Sequence, residues 1–226
     1  MKNNKTLMRA AAAVLLAGCA LGAQAQKAGT WFGGIGATRI DPNTESGTLS
    51  PPSAPNTKVD IGADTQPTLF LGYMLTDNWS VEVPVGFGFE HDINGAGAIG
   101  GTGKIGSTKV LPVSAFVQYR FLEPTARFRP YLLGGVTYAY FYGERGSATL
   151  NALNPANPPG GTTLDIESKF GWSLGLGMTV TLTERWFLDA HYARTWLKTT
   201  TTLNSGQKID TKLDPDVWTA SVGYRF

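Results

Sequence analysis

The chain has 226 residues, enough for one sizeable domain, and 42% of them are hydrophobic, an ordinary share for a globular protein. Its 28 glycines and 11% aromatic residues suit a strand-rich fold, and no apolar run after the N-terminal region reaches the roughly 20 residues that a membrane-spanning helix needs. The formal net charge of +2 depends on three basic residues near the N-terminus, and nothing in it indicates a nucleic-acid partner.

Residues 1–25 have the pattern of a secretory signal peptide. Lys2, Lys5 and Arg9 form a positive n-region, an apolar segment follows, and Ala23-Gln24-Ala25 is a small-x-small cleavage site. Cleavage after Ala25 leaves residues 26–226 with a net charge of −1 and without cysteine, which excludes thiol chemistry and disulfides.

A second interpretation of this region stays open. Leu16-Ala17-Gly18-Cys19 fits the lipobox of bacterial lipoproteins, in which the cysteine is lipidated and becomes the new N-terminus. The intact mass of the mature protein distinguishes the two interpretations.

Period-two hydrophobicity recurs through residues 26–226, whereas helical periodicity is almost absent. In the clearest segment, from Phe170 to Leu182, large apolar residues alternate with Gly, Ser and Thr. Successive side chains of a strand point to opposite faces, so one face of this segment is apolar and the other is small or polar. Eight segments show the pattern: Thr30–Ile40, Thr65–Leu75, Trp79–His91, Lys109–Phe121, Phe128–Gly143, Phe170–Leu182, Trp186–Thr201 and Trp218–Phe226.

These eight strands predict an antiparallel transmembrane β-barrel of the bacterial outer membrane, in preference to a soluble β-sandwich. The segments run about 10–14 residues, longer than the 5–6 of most globular sheets. Their polar side is rich in Gly, Ser and Thr and poor in Lys and Glu, which suits a narrow lumen better than a surface in water. Closure follows because a sheet in hydrocarbon cannot leave an edge without hydrogen bonds.

The connections between the strands alternate between short and long. Three are tight turns, at 76–78, 123–127 and 183–185, and four are longer segments rich in Pro, Gly, Asn, Ser and Thr, at 41–64, 92–108, 144–163 and 202–212. Outer-membrane barrels keep short turns in the periplasm and long loops outside, so both termini are predicted to be periplasmic and the long segments to be mobile external loops.

Aromatic residues are predicted to form two belts at the membrane interfaces. One belt lies beside the short turns and the other towards the long loops. The residues are Tyr73, Trp79, Tyr119, Trp186 and Tyr224 for the first belt, and Tyr138, Tyr140, Tyr142 and Trp196 for the second.

Several motifs together resemble the OmpW family of outer-membrane proteins. They are the sequence Phe128-Arg129-Pro130-Tyr131 followed by Gly134-Gly135-Val136, the turn Thr76-Asp77-Asn78, the lead-in Leu213-Asp214-Pro215, and the ending Val222-Gly223-Tyr224-Arg225-Phe226. The resemblance covers essentially all of residues 26–226. It implies a barrel with a narrow, partly hydrophobic lumen that passes small hydrophobic molecules inward and releases them sideways through the wall.

Two sets of residues on the inward parity are candidates for function. Phe70, Phe116 and Phe141 are predicted to line the lumen, although they could instead only fill a small barrel. Buried charges need partners, so a salt-bridge network that plugs the lumen is also predicted. Its members are Glu82, Arg120, Arg129, Asp189 and Arg225, and Glu90, Gln118 and His191 share their parity.

An enzymatic function is not predicted. His91 lies near the rim with Ser107 and Ser114 across the next loop, an arrangement that could suggest acyl transfer, but spacing shows no third group to orient a base. Two distant histidines do not form a metal site, and no cofactor is expected.

The leading prediction is an outer-membrane channel or carrier for passive uptake of small hydrophobic molecules. The alternative is a structural or interaction barrel of the OmpA or OmpX type, with a plugged lumen and binding loops. The expected partners are the lipid bilayer, small hydrophobic solutes and the barrel-assembly machinery, for which Val222, Tyr224 and Phe226 form the assembly signal.

Overall fold

The structure, a computed structural model, describes residues 26–154 and 160–226. The predicted signal peptide and the lipobox at Cys19 lie outside the described residues. In chain order the elements are β1 (Trp31–Asp41), β2 (Glu45–Ser46), β3 (Thr57–Ile61), β4 (Asp64–Met74), β5 (Trp79–Gly86), β6 (Phe89–Gly97), β7 (Lys104–Arg120), β8 (Phe128–Gly146), α1 (Ala148–Leu153), β9 (Leu164–Ile166), β10 (Lys169–Thr181), β11 (Trp186–Trp196), β12 (Lys198–Leu203), β13 (Lys208–Lys212) and β14 (Asp216–Arg225).

Eight of these strands close into an antiparallel barrel. Around the wall the order is β7, β5, β4, β1, β14, β11, β10 and β8, and β8 pairs with β7 to complete the ring. The first and last strands join along their whole length, from Phe32 opposite Arg225 to Asp41 opposite Asp216. The predicted eight-stranded barrel is therefore confirmed.

The two ends of the barrel differ. We call the end with the three tight turns the turn end and the opposite end the loop end. At the loop end, six further strands lie within or next to the expected long loops: β6 extends the sheet from β7, β3 pairs with β6, and β2, β13, β12 and β9 form a separate four-stranded sheet. In the part of the chain that the structure describes, no helix has the length and apolar character to cross a membrane.

The alternation of the strands separates two surfaces. Large apolar side chains, such as Ile35, Leu174 and Phe170, are exposed on the outside of the wall, whereas small and polar residues point inward. This is the arrangement that lipid outside and a narrow lumen inside require.

One strand departs from the predicted parity. The segment Trp79–His91 was expected to be one strand, with Phe89 outside and Glu90 inside, but the structure divides it between Gly86 and Phe89. Phe87 is 70% exposed, Phe89 is only 2% exposed, and Glu90 points outward. The prediction for Glu90 was wrong because the break at 87–88 reverses the alternation.

Aromatic side chains form two belts, as predicted. At the turn end, Trp31 packs on Tyr73, Trp79 on Tyr119 and Trp186 on Tyr224. At the loop end, Tyr138 packs on Phe170, Tyr192 on Trp218, and Trp172 stacks on Trp196 with ring centroids 3.9 Å apart. Such rings, apolar with one polar atom, suit the two membrane–water interfaces.

Candidate functional site: the barrel cavity

A cavity of about 340 Å³ occupies the loop-end half of the lumen. Its wall contains the three phenylalanines predicted to line the lumen, Phe70, Phe116 and Phe141. Phe141 belongs to a large apolar cluster, whereas Phe116 packs against Tyr131 and Leu133 on the barrel wall. The inward parity therefore places these side chains as expected, and what they bind remains a prediction.

The loop-end wall of the cavity comes mainly from elements outside the eight wall strands, most of which lie in the predicted loops. Val59 of β3, Leu150 of α1, Ile166 of β9, Leu203 of β12 and Ile209 of β13 all line it. Apolar residues within these polar segments were the available signal. The folded loop end therefore extends the apolar lumen beyond the barrel.

Two groups of hydroxyl side chains lie on the inner wall of the barrel, where each group joins neighbouring strands by hydrogen bonds. Thr38 Oγ1 lies 2.8 Å from Thr68 Oγ1 and 2.9 Å from Thr219 Oγ1. On the other side, Ser114 Oγ lies 2.8 Å from Thr137 Oγ1. These hydroxyls bond to one another, so they present their polarity to the cavity at little desolvation cost.

The bottom of the cavity is a buried polar cluster, which we call the floor network. Arg120 is its centre: Nε donates to Ser80 Oγ (3.2 Å), Nη1 to Thr179 Oγ1 (2.7 Å) and Nη2 to Gln118 Oε1 (2.6 Å). Gln118 Nε2 in turn donates to Glu82 Oε2 (3.1 Å). The members are Ser80, Glu82, Gln118, Arg120, Tyr131, Thr179, Asp189 and His191.

Asp189 is the second acceptor of the floor network. Its Oδ2 accepts from Thr179 Oγ1 and its Oδ1 from the Tyr131 hydroxyl, each at 2.8 Å. His191 Nδ1 lies 3.6 Å from the same Oδ1. Tyr131 was not predicted for this site, although it shares the inward parity of Arg129 two residues earlier.

The predicted network does bring Glu82, Arg120 and Asp189 together, but through hydrogen bonds to neutral side chains and not through salt bridges. Arg120 makes no ion pair within 4 Å of Glu82 or Asp189, and neutral side chains connect it to both carboxylates. Its guanidinium lies between two rings, 5.2 Å from the centroid of Phe32 and 4.7 Å from that of Tyr131. A guanidinium has five N–H groups, more than one carboxylate can accept. The three neutral side chains of Ser80, Thr179 and Gln118 each accept from a different nitrogen of Arg120.

Arg129 and Arg225 lie nearer the turn end and do not join the floor network. Arg129 donates to the carbonyl oxygens of Asp77 (2.7 Å) and Leu122 (3.1 Å), which ties two turns together. Arg225 donates to Glu184 O (3.3 Å) and lies over the ring of Phe187 at 4.8 Å. Their role as members of one charge network was therefore not confirmed.

An aromatic layer packs inside the barrel against the floor network, with the ring of Phe32 beside the Arg120 guanidinium. Phe32, Met74 and Phe187 form it, with Phe70 packed against them. Glycines make room for the rings: a Cβ added at Gly72 would meet the ring of Phe32. Together with the floor network, this layer occupies the lumen between the cavity and the turn end.

The barrel wall has one interruption beside the cavity. The ladder between β5 and β7 extends only from Trp79 opposite Tyr119 to Glu82 opposite Phe116. Pairing resumes at Phe89 of β6 opposite Val110. We call the space between residues 83–88 and 111–115 the wall gap.

Two prolines lie at the wall gap, and both line the cavity. Pro84 and Pro112 have no N–H, so neither can donate to a ladder across the gap. Leu69, which is half exposed on the outside of the wall, also lines the cavity. Tyr142 packs against Gly88 at the loop-end margin.

The two histidines occupy different environments, and neither is paired with a serine by a hydrogen bond in the described part of the chain. His91 Nδ1 lies 2.7 Å from Gly62 O at the loop end, and burial lowers the pKa of its imidazole, against the raising effects of that bond and of Asp64. Residues 26–154 and 160–226 contain no group of three or more His, Cys, Asp or Glu that could hold a metal.

The predicted assembly residues lie together on the outer face of β14 and just beyond it. Val222 and Phe226 are exposed, and Tyr224 packs between Trp186 and Phe226 in the turn-end belt. Recognition of this surface remains a prediction.

Comparison with known proteins gives one consistent result. The model of the OmpW family matches residues 27–226. Outer membrane protein W of Vibrio cholerae serotype O1 is 34% identical over 170 residues, which cover 74% of this chain and 76% of that protein, and Outer membrane protein W of Salmonella typhi is 30% identical over 227 residues, 98% of each chain. The crystal structure of outer membrane protein OprG from Pseudomonas aeruginosa superimposes with a TM-score of 0.79 at 26% identity, over 90% of this chain and 99% of that one.

Proposed function

Because this chain belongs to the OmpW family of outer-membrane β-barrels, we propose that it is a passive carrier for small hydrophobic molecules, which enter at the loop end and leave sideways through the barrel wall. No chemical reaction is part of this proposal. The barrel supplies a route for small hydrophobic molecules past the polar surface of the membrane.

The observation that carries the proposal is an apolar cavity on the loop-end side of the floor network. Removing apolar surface from water is favourable by roughly 25 cal/mol per Å². A cavity of about 340 Å³ lies in the range of small-molecule pockets. Beyond it, Arg120, Glu82 and Asp189 would have to be separated from their partners before an apolar molecule could pass.

The wall gap supports the sideways exit. Elsewhere the neighbouring strands are hydrogen-bonded over most of their length, but between β5 and β7 the ladder ends at Glu82. Pro84 and Pro112 remove donors that would close it. Val85, Phe87 and Val113 are exposed on the outside, so a molecule leaving here would meet an apolar surface and then lipid.

Orientation follows the rule for outer-membrane barrels, in which short turns are periplasmic. The turn end and both termini then face the periplasm, and the loop end faces outward. We further propose that the barrel-assembly machinery recognises the outward side chains of Val222, Tyr224 and Phe226.

The alternative function, a plugged interaction barrel of the OmpA or OmpX type, predicts paired charges throughout the lumen. Here the buried arginines, with Glu82 and Asp189, lie in the floor network or nearer the turn end, and the cavity on the loop-end side is lined mainly by apolar side chains. This distribution favours the carrier.

A disulfide across the wall gap tests the sideways exit. Continuing the β5–β7 register beyond Glu82 opposite Phe116 brings Val85 opposite Val113, and both side chains lie outside the cavity. The double variant Val85→Cys/Val113→Cys adds the only cysteines to residues 26–226. In proteoliposomes we expect oxidation to reduce uptake of a fluorescent apolar solute and a reducing agent to restore it.

The matched control places a disulfide where the wall is already closed. Ala37 and Ala220 are direct partners across β1 and β14 and both face outward. Ala37→Cys/Ala220→Cys should transport equally in both redox states. Unchanged uptake by the fully oxidised Val85–Val113 pair, with bond formation verified by mass spectrometry, would contradict the sideways route.

A further inference from the structure

Glu82 stands out among the residues that line the cavity. It is 5% exposed, lies at the boundary between the apolar cavity and the floor network, and is the last residue of the β5–β7 ladder. It therefore sits at the foot of the wall gap. Burial of a carboxylate is costly unless its oxygens are bonded, so its partners indicate its role.

Among the described residues, the side-chain hydrogen bonds to Glu82 reach only one of its two oxygens. Oε2 accepts from Gln118 Nε2, and no side chain in the described part of the chain donates to Oε1. The single fully enclosed side-chain polar atom without a partner among the described residues is Arg225 Nε. Oε1 of Glu82 therefore has access to open space, and the open space that Glu82 lines is the cavity.

The charges around Glu82 favour a positive group at Oε1. Its charged neighbours are Asp189, His191 and Arg120. Arg120 donates to Ser80, Thr179 and Gln118, and it makes no direct ion pair with Glu82 or Asp189. The two carboxylates, Glu82 and Asp189, outnumber the one guanidinium of Arg120, so formal charge favours a cation at Oε1.

We propose that Glu82 is a specificity residue that binds the positively charged, hydrogen-bond-donating end of an amphiphile, such as a primary alkylammonium, whose apolar body occupies the cavity. This inference rests on the proposed carrier function and names the substrate class. The ammonium N–H donates to Glu82 Oε1, and the hydrocarbon chain lies against the apolar wall that includes Phe70, Phe116 and Phe141. Binding at this point places the amphiphile beside the wall gap.

The test compares three probes with one chain length: hexylammonium, hexanol and hexanoate. Each is titrated into the full barrel in lipid nanodiscs, and binding is followed by chemical-shift changes of the amides that surround the cavity. Hydrogen bonds to charged groups are stronger than neutral ones, so we expect hexylammonium to bind about tenfold or more tightly than hexanol, and hexanoate to bind most weakly.

Variants separate the role of Glu82 from partitioning into lipid. Glu82→Gln, which preserves the volume and an acceptor for Gln118, should bind hexylammonium and hexanol with similar affinity. Glu90→Gln is the matched control, because Glu90 is exposed beside Lys109 and does not line the cavity. It should keep the preference of the unmodified protein.

The outcomes distinguish this inference from the carrier function. Equal binding of hexylammonium and hexanol to the unmodified barrel, or an unchanged preference in Glu82→Gln, overturns the role of Glu82 and leaves the carrier proposal standing. Failure of all three probes to perturb the cavity overturns the carrier proposal as well.

Discussion

At the scale of single residues, the environment of a phenylalanine is decided by its parity on the strand. Phe141 on β8 points inward and is 8% exposed, whereas Phe170 on β10 points outward and is 74% exposed. The two side chains are chemically identical and lie at the same end of the barrel. The effect of the same substitution can therefore be compared between a side chain in the lumen and one on the lipid-facing surface.

We expect Phe141→Ser to reduce uptake of an apolar solute several-fold in proteoliposomes. The substitution removes apolar surface from the cavity wall and adds a hydroxyl among Ile, Leu and Val side chains. Phe170→Ser changes the lipid-facing surface and should leave the uptake rate per folded barrel close to that of the unmodified protein. Equal uptake by all three proteins would show that Phe141 only fills space.

A second prediction concerns His91 and the fold of the loop end. Burial lowers the pKa of His91 below its ordinary value of about 6.5, while the Gly62 carbonyl, Asp64, Asp41 and Asp92 oppose the shift. The unfolded state therefore binds the proton more readily, and stability present above pH 6.5 is lost as the pH falls through the lower folded value.

The measurement is hydrogen exchange at Gly62, whose N–H donates to Asp92 O and whose carbonyl contacts His91. After correction for the intrinsic effect of pH, protection should decrease from pH 7.5 to pH 5. His91→Phe removes the titrating group and should remove this dependence. Constant protection in the unmodified protein would contradict the prediction.

At the scale of elements, the inward glycines explain how large rings fit into a narrow barrel. Gly223 of β14 lies against the ring of Phe187 on β11, and an added Cβ would come within 2.6 Å of Phe187 Cε1. Because the ring is enclosed by Phe32 and Met74, it has little freedom to move away. The alternation of glycine with apolar residues is thus a packing requirement of the turn-end layer.

We expect Gly223→Ala to lower the free energy of unfolding by about 1–3 kcal/mol, the usual cost of overpacking a close-packed interior. Gly134→Ala is the control, since its nearest neighbour would be the flexible end of Leu174 at 3.3 Å. Urea unfolding from lipid vesicles, followed by tryptophan fluorescence, measures both. Similar stability of the two variants would mean that Phe187 can shift.

At the scale of the whole molecule, the closed floor separates this barrel from an open pore. We expect no large, stable ohmic conductance in planar bilayers, because the buried side chains of the floor network and the aromatic layer occupy the lumen. Arg120→Ala removes the side chain that joins Ser80, Thr179 and Gln118, and should increase the frequency of open events. Arg39→Ala, which changes an exposed pair with Asp41, should not. A stable large conductance of the unmodified barrel would contradict the plug.

The sequence determined the barrel itself, because a strand in lipid must alternate and a sheet in lipid must close. Period-two alternation located all eight wall strands, the aromatic belts and the inward positions of Phe70, Phe116, Phe141, Glu82 and Arg120. These features depend only on the residue and its parity. They can therefore be obtained without knowing which strand lies opposite which.

Only the tertiary structure decided what the inward residues contact. The separation of Arg129 and Arg225 from the floor network, the neutral links of Arg120, and the free oxygen of Glu82 depend on distances across the lumen between residues far apart in sequence. The reversal at Phe89 and the strands of the loop end were missed because pairing with distant segments overrides local alternation. Parity gives the direction of a side chain, whereas its partner is set by the register and curvature of the closed sheet.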